Sequence, residues 1–357
     1  MGLTLYIDVA AIVANWRTLA ALHANPTAAV LKADGYGLGA AHIAPALLAA
    51  GATEFFVATP AEGVALRAAI PHARLYVLGG LWPDQTATYL AHTLIPVLGS
   101  AAETRHWMET ARTQQKPLAA AIHIDTGMRR LGLDGAELTA LAADPAPFSA
   151  LNIHYVMTHL VAADTPAAPE NAAQLAAFTA ARKTLPPVPA SLANSSGIFL
   201  GTGFRTDLAR PGAALFGINP TPGLPNPMRT VLRLTARVLQ IREIATGESV
   251  GYNATWRAQR STRVACVCAG YADGYLRSLS NNGAAIFDGQ PLPLIGRVSM
   301  DLLTFDATDV PSLRAGDALE LIGPAMPPDT VAARAATNGY EILTQLSRRA
   351  DRVYGAR

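Results

Sequence analysis

Short apolar runs punctuate the first two thirds of the chain: AlaValLeuLys (29–32), GluPhePheValAla (54–58), ArgLeuTyrValLeu (74–78), LeuIleProValLeu (94–98), AlaIleHisIleAsp (121–125), AsnIleHisTyrValMet (152–157), AlaSerLeuAla (190–193) and AlaAlaLeuPhe (213–216). Most are separated by alanine-rich segments of helical character, such as 60–69 and 171–182. Strand alternating with helix implies a parallel sheet. Eight such units in roughly 200 residues predict a closed (β/α)8 barrel.

The pattern breaks at residues 217–227, where four prolines in eleven positions forbid regular helix or central strand. Beyond this connector, 230–241, 262–268 and 317–322 read as strands, and AspGly at 288–289 between two apolar segments signals a hairpin. The expected architecture is α/β, with a barrel over residues 1–225 and a mostly β domain over 226–357. The first few residues are free to pair with that second domain.

A chain of 357 residues suits this two-domain division. Its net charge of +2, with 15% charged residues and no block of one sign, argues against a nucleic-acid groove. The N-terminus lacks the basic start and apolar core of a secretory signal, and no run approaches the roughly 18 apolar residues of a membrane span. Cys266 and Cys268, two apart in an apolar strand, are badly placed for a disulfide and have no ligand-spaced companions for a metal. A reducing, cytoplasmic setting is expected, with no membrane, nucleic-acid or metal partner.

Three lysines stand against 25 arginines, so each lysine is informative. Lys116 and Lys183 sit in polar surroundings; Lys32 closes an apolar strand and precedes Gly35, Gly37 and Gly39. In a barrel, that is the end of the strand where catalytic groups gather. These glycines make neither GxGxxG nor a Walker loop. A desolvated lysine, unlike arginine, loses its proton and attacks a carbonyl to form a Schiff base. Read alone, an ordinary lysine of a βα loop is equally open. Four further motifs fall at later strand ends: HisIleAspThrGlyMetArgArgLeuGly (123–132), MetThrHisLeu (157–160), AlaAsnSerSerGly (193–197) and AspLeuAlaArgProGlyAlaAla (207–214). Taken together with Lys32 they suit a ligand carrying an aldehyde and a phosphate, pyridoxal 5′-phosphate (PLP).

At this point the chain resembles the alanine racemases, PLP enzymes of fold type III. LysAlaAspGlyTyrGlyLeuGly (32–39) is similar to the family's PLP-lysine signature. The likeness continues through those four motifs, ValGlyTyrAsnAlaThrTrpArg (250–257), GlyTyrAlaAspGlyTyr (270–275) and GlyArgValSerMetAsp (296–301). It implies an isomerase that interconverts L-alanine and D-alanine, for peptidoglycan supply or for alanine catabolism, and that works as a homodimer. By resemblance, Lys32 holds PLP and is the base on the D side of the α-carbon, and Tyr252, reaching in from the other subunit, is the base on the L side. Proton transfer on both faces of one carbon makes two bases chemically sensible. A tyrosine needs nearby positive charge to favour its phenolate, and Arg210 and His159 match that network. Arg210 also matches the arginine facing the pyridine nitrogen. Tyr36, Ser195, Gly212, Ala213 and Tyr354 match the phosphate cradle. Arg130 matches the residue contacting the cofactor's phenolic oxygen and the substrate carboxylate, Met300 a backbone contact to that carboxylate in trans. Tyr271 and Asp301 match a substrate-entry position and a position supporting it, and the bulk of Tyr271 and Met300 would favour a small side chain.

Two positions depart from the family pattern. His123 stands where a lysine that becomes carbamylated is frequent, so no carbamate is expected there. Asp351 stands where proline is usual. The competing readings are a broader small amino-acid racemase, for example of serine, another fold type III PLP enzyme such as a decarboxylase, and a non-catalytic PLP-binding protein. The last would lack the β domain carrying Tyr252 and Asp301; a decarboxylase would not need Tyr252.

Overall fold

A computed structural model describes residues 2–355. Strand β1 (Leu3–Ile7) lies outside the barrel. Seven parallel strands follow in sequential order: β2 (Ala29–Val30), β3 (Glu54–Val57), β4 (Arg74–Val77), β5 (Leu94–Leu98), β6 (Leu118–His123), β7 (Leu151–Met157) and β8 (Ala190–Ser191). All four residues of β3 are buried, as expected for a strand covered on both faces. Phe55 and Val57 join the core under the helices, whereas Phe56 packs with Val30, Tyr76, Ile95, Val97, Tyr155 and Met157 inside the barrel.

The eighth side of the barrel is not AlaAlaLeuPhe (213–216). That segment is a 3-10 turn, Ala213–Phe216, ended by Gly217 at φ 81°. Closure comes from the preceding stretch, Leu208–Pro211. Leu208 N donates to Ala190 O (3.1 Å) and Arg210 N to Ala193 O (2.8 Å); on the other edge Ala28 N donates to Ala209 O (2.9 Å) and Val30 N to Pro211 O (3.0 Å). A proline ends the stretch and an arginine lies within it, so its composition conceals a strand.

Past the proline-rich connector, β9 (Leu232–Ile244) is the spine of the second unit. Around it lie β10 (Ser249–Val250), β11 (Trp256–Arg257), β12 (Thr262–Val267), β13 (Ala284–Phe287), β14 (Gln290–Pro293), β15 (Leu303–Asp306), β16 (Ala318–Ile322) and β17 (Asp351–Tyr354). β9 pairs antiparallel with β1, β12 and β16, and β17 runs parallel to β1, so the chain's two ends meet in one sheet. The β13–β14 hairpin turns at Asp288 (φ 46°) and Gly289 (φ 76°), both left-handed as a two-residue type I′ turn requires. One apolar core is continuous from the barrel helices (Trp16, Leu47) through Leu5 and Leu234 to Leu343. Cys266 and Cys268 are free thiols, with a register shift after Cys266. Among the described residues, no helix is long and apolar enough to cross a membrane.

Candidate active site

Lys32 lies two residues past the end of β2 and opens a turn of unusual hand. Ala33 (φ 53°), Asp34 (φ 53°), Gly35 (φ 65°) and Tyr36 (φ 53°) are all left-handed. For an L-residue with a Cβ this conformation costs about 1–2 kcal/mol. Three of the four have one, so the turn persists because its surroundings dictate it. Gly35 N donates to Leu31 O (2.9 Å) and Gly37 N to Ala33 O (2.7 Å). Glu62 Oε1 accepts from Ala33 N (2.8 Å), Asp34 Oδ1 from Ala40 N (2.9 Å), and Gly37 O from Arg352 Nη1 (2.6 Å). A Cβ on Gly37 would stand 2.5 Å from Leu343 O. This glycine therefore serves close packing rather than an anion cradle.

The turn aims Lys32 into a cavity of about 500 Å³ at the C-terminal ends of the strands. Lys32, Tyr36, Arg130, His159, Ser195, Arg210, Gly212 and Ala213 all line it, as does His123. Every sequence-derived site residue of the barrel therefore converges on one wall system. Ser195 Oγ accepts from Gly212 N (3.0 Å) and Ala214 N (3.2 Å), which ties the Ser195 loop to the start of the 3-10 turn. Buried Arg210 donates through Nη2 to Thr158 O (2.6 Å) and through Nη1 to Ser191 Oγ. Thr158 Oγ1 in turn meets Thr126 Oγ1 (2.7 Å), and Gln174 Nε2 donates to Thr126 Oγ1 (3.1 Å) and His159 O (2.9 Å). A helix side chain thus locks the loops after β6 and β7 to one another.

No Asp or Glu is found among the described lining residues, and the charges follow from that. Burial lowers the Lys32 ammonium from its ordinary value; Arg130 adds to the effect and Glu62 opposes it. Burial, then Arg210 and Arg130, press His159 down to about 3, and burial and Arg210 press His123 to about 4. Both imidazoles are neutral at neutral pH. Burial lowers Arg210 only to about 10, which leaves it charged. Burial raises the Tyr36 phenol, which stays protonated. The cavity therefore combines fixed positive charge, neutral hydrogen-bonding groups and one amine eased towards its nucleophilic form.

The remaining expectations fall elsewhere. Tyr354 does not line the cavity. Held on β17 by its pairing with β1, its ring stacks on His42 (4.1 Å between centroids, 8° between planes), and its hydroxyl lies where a Cβ on Gly39 would be. The tyrosine that the C-terminal part of the chain places on the cavity wall is Tyr340, in the helix Gly339–Gln345 capped by Asn338. Tyr252, Tyr271, Met300 and Asp301 are not on this wall either. Tyr252 is 69% and Met300 53% exposed, and Tyr271 and Leu302 are also open to solvent. The Tyr271 amide donates to Ser299 O (3.0 Å), which joins two of these loops, and Asp301 pairs with Arg349 (2.8 Å). Gly251 (φ 74°) and Asn253 (φ 61°) shape the turn that presents Tyr252. Sequence reasoning also missed Asn194 on the wall and Glu62, Thr158, Gln174 and Ser191 behind it.

Comparison with known proteins matches both halves of the chain. The model of the alanine racemase N-terminal domain covers residues 7–220, and that of the C-terminal domain covers 231–354. The alanine racemase of Acidiphilium cryptum is 54% identical over 350 residues, 98% of each chain. That of Methylobacterium nodulans is 47% identical over 356 residues, 99% of this chain and 96% of the relative. The crystal structure of alanine racemase from Bartonella henselae with covalently bound pyridoxal phosphate superposes with a TM-score of 0.96 at 41% identity, covering 99% of both chains. The biosynthetic enzyme of Pseudomonas aeruginosa gives 0.93 at 33%, again over 99% of both.

Proposed function

This chain belongs to the alanine racemase family and interconverts L- and D-alanine, and from that premise we propose that it does so with PLP held in the barrel cavity, the two proton transfers being divided between two copies of the chain. The carrying observation is the wall itself: a buried amine, two arginines and a serine-tied backbone turn, with no carboxylate among the described lining residues. These groups fit an anionic aldehyde. Lys32 Nζ would hold the aldehyde. Ser195, the Gly212–Ala213 backbone and the Tyr36 hydroxyl receive the phosphate, with Tyr340 in the place expected of Tyr354. Arg210, always charged, would give the cofactor's ring nitrogen no proton. When bound, PLP supplies an electron sink for negative charge at the substrate α-carbon.

The chain's own groups do the rest. Arg130 orients the substrate carboxylate from within the cavity. Lys32 Nζ, free again once the substrate's amine has displaced it, would remove or return the α-proton on the D face. Tyr252 of the partner subunit does so on the L face, because the chain's own Tyr252 stands in solvent away from this wall. Tyr271, Met300 and Leu302 are exposed apolar side chains on two hydrogen-bonded loops, consistent with a face covered in a homodimer, and there Met300, Tyr271 and Asp301 would close the second chain's cavity around a small side chain. The division of the chain at 225/226 belongs to the same proposal. It is supported by the proline-rich connector and by β1 crossing back to β9.

The test is incubation of the PLP-loaded enzyme with each alanine enantiomer in deuterated water. Both are expected to racemise and to gain α-deuterium, and Lys32→Ala is expected to do neither. Racemisation that persists in Lys32→Ala would refute the assignment of the base.

A further inference from the structure

Glu62 lies in the first turn of the helix Pro60–Arg67, three residues after its N-cap Thr59, whose side chain accepts from Glu62 N. A glutamate in that position commonly reaches back to its own helix start. Here one oxygen reaches back past the N-cap to the residue before it, and the other leaves the helix for a neighbouring loop. Oε1 accepts from Ala33 N at 2.8 Å and Oε2 from Ala58 N at 2.7 Å. Ala33 is the residue after Lys32 and the first of the left-handed turn; Ala58 follows β3; both line the cavity. A single carboxylate thus bridges the loops after β2 and β3 beneath the reactive amine. Its charge also acts on Lys32 against that of Arg130.

We propose that Glu62 is the positioning residue of Lys32: its grip on the Ala33 and Ala58 amides fixes the turn that aims the lysine into the cavity, and its negative charge offsets Arg130 there. The inference rests on Lys32 being the cofactor-holding lysine. Grip and charge are separable. Glu62→Gln keeps the length but removes the charge and turns an NH2 towards one of the two amides. Glu62→Asp keeps the charge but, one methylene shorter, does not span both amides.

The experiment compares the PLP-loaded wild type with Glu62→Gln and Glu62→Asp in three readouts: kcat and KM for alanine, the pH titration of the visible absorbance of the lysine-bound cofactor, and the melting temperature. Loss of a charge-assisted contact predicts a kcat lower by about 10- to 100-fold in both variants, with KM changed far less. Only Glu62→Gln should move the absorbance titration, towards lower pH, because a negative charge no longer favours the protonated form. A purely structural glutamate would lower the melting temperature and leave the titration and kcat alone; that result overturns the proposal. Should Glu62→Gln fail to fold, wild-type kcat in Glu62→Asp overturns it equally. Failure of the underlying reading is distinct: the absorbance band would then survive in Lys32→Ala.

Discussion

Gly212→Ala measures how tightly the proposed phosphate end of the cavity is built. Gly212 has φ −129° and ψ −79°, outside the main β and right-handed α regions, so any backbone cost of alanine is common to every background and a double-mutant cycle is needed to isolate the cost of space. The added methyl would collide with the Tyr36 hydroxyl and stand 3.1 Å from its Cζ and 3.2 Å from its Cε2. The Tyr36 ring has little freedom to yield. It is buried, and its centroid lies 5.0 Å from that of Phe216, which is fully enclosed. Forcing one methyl into such packing costs about 1–3 kcal/mol. Tyr36→Phe removes the atom of closest approach and leaves only contacts that shifts of a few tenths of an ångström relieve. In the Tyr36→Phe background the cost of Gly212→Ala should therefore be smaller by about 1 kcal/mol or more, and that difference is the coupling. Urea midpoints of the four proteins, compared at a common slope, give the cycle. Independent sites add within about 0.5 kcal/mol, so additivity at that level would refute the packing argument.

Complementation tests the division of labour between chains. Lys32→Ala and Tyr252→Phe should each be inactive alone. Random co-assembly makes about half the dimers mixed, each with one intact site, so activity should recover to about a quarter of wild type; none returns if Tyr252 acts within its own chain. Acidification tests the buried imidazoles. With folded-state values near 3 for His159 and 4 for His123, the unfolded chain takes up protons below pH 6.5 while the folded chain does not. Stability of the cofactor-free protein should then fall between pH 7 and 5 by at most about 2 kcal/mol per histidine, and His159→Asn should flatten the slope in urea titrations at the two pH values. Asn15, buried in the first barrel helix, donates to Leu215 O (3.1 Å) and Arg229 O (2.9 Å) and accepts from Arg229 N (2.8 Å). Asn15→Ala should cost about 2–3 kcal/mol in the same assay by leaving those backbone groups unmet.

How much of this was legible in the sequence depended on whether a residue's own neighbours along the chain declare its role. Seven barrel strands were readable because a parallel strand buried on both faces is an unbroken apolar run. The eighth side was misplaced because its backbone does the pairing, while its side chains, Arg210 above all, serve the cavity and a proline ends it. The residues that line the cavity were readable through motifs, since each strand end carries its polar side chain within a few residues of the apolar run. Tyr354 and Tyr340 lie fourteen residues apart near the C-terminus, and only tertiary placement separates them. The helix Gly339–Gln345 packs against the lysine turn, with Leu343 O at Gly37, and brings Tyr340 to the cavity; β17 is bound to β1 and carries Tyr354 to His42. Glu62 was hidden for a different reason: ThrProAlaGlu satisfies a helix-start pattern completely, so nothing in the local sequence asks for a second use. The left-handed turn after Lys32 has the same origin. Three of its four residues are not glycine, so propensity speaks against it, and it is held by Glu62, Arg352 and Leu343 from distant parts of the chain. Lys32 is therefore aimed into the cavity by contacts that no local pattern encodes, which is why substitutions well away from it in sequence, at Glu62 or Arg352, should disturb its placement while leaving the signature 32–39 intact.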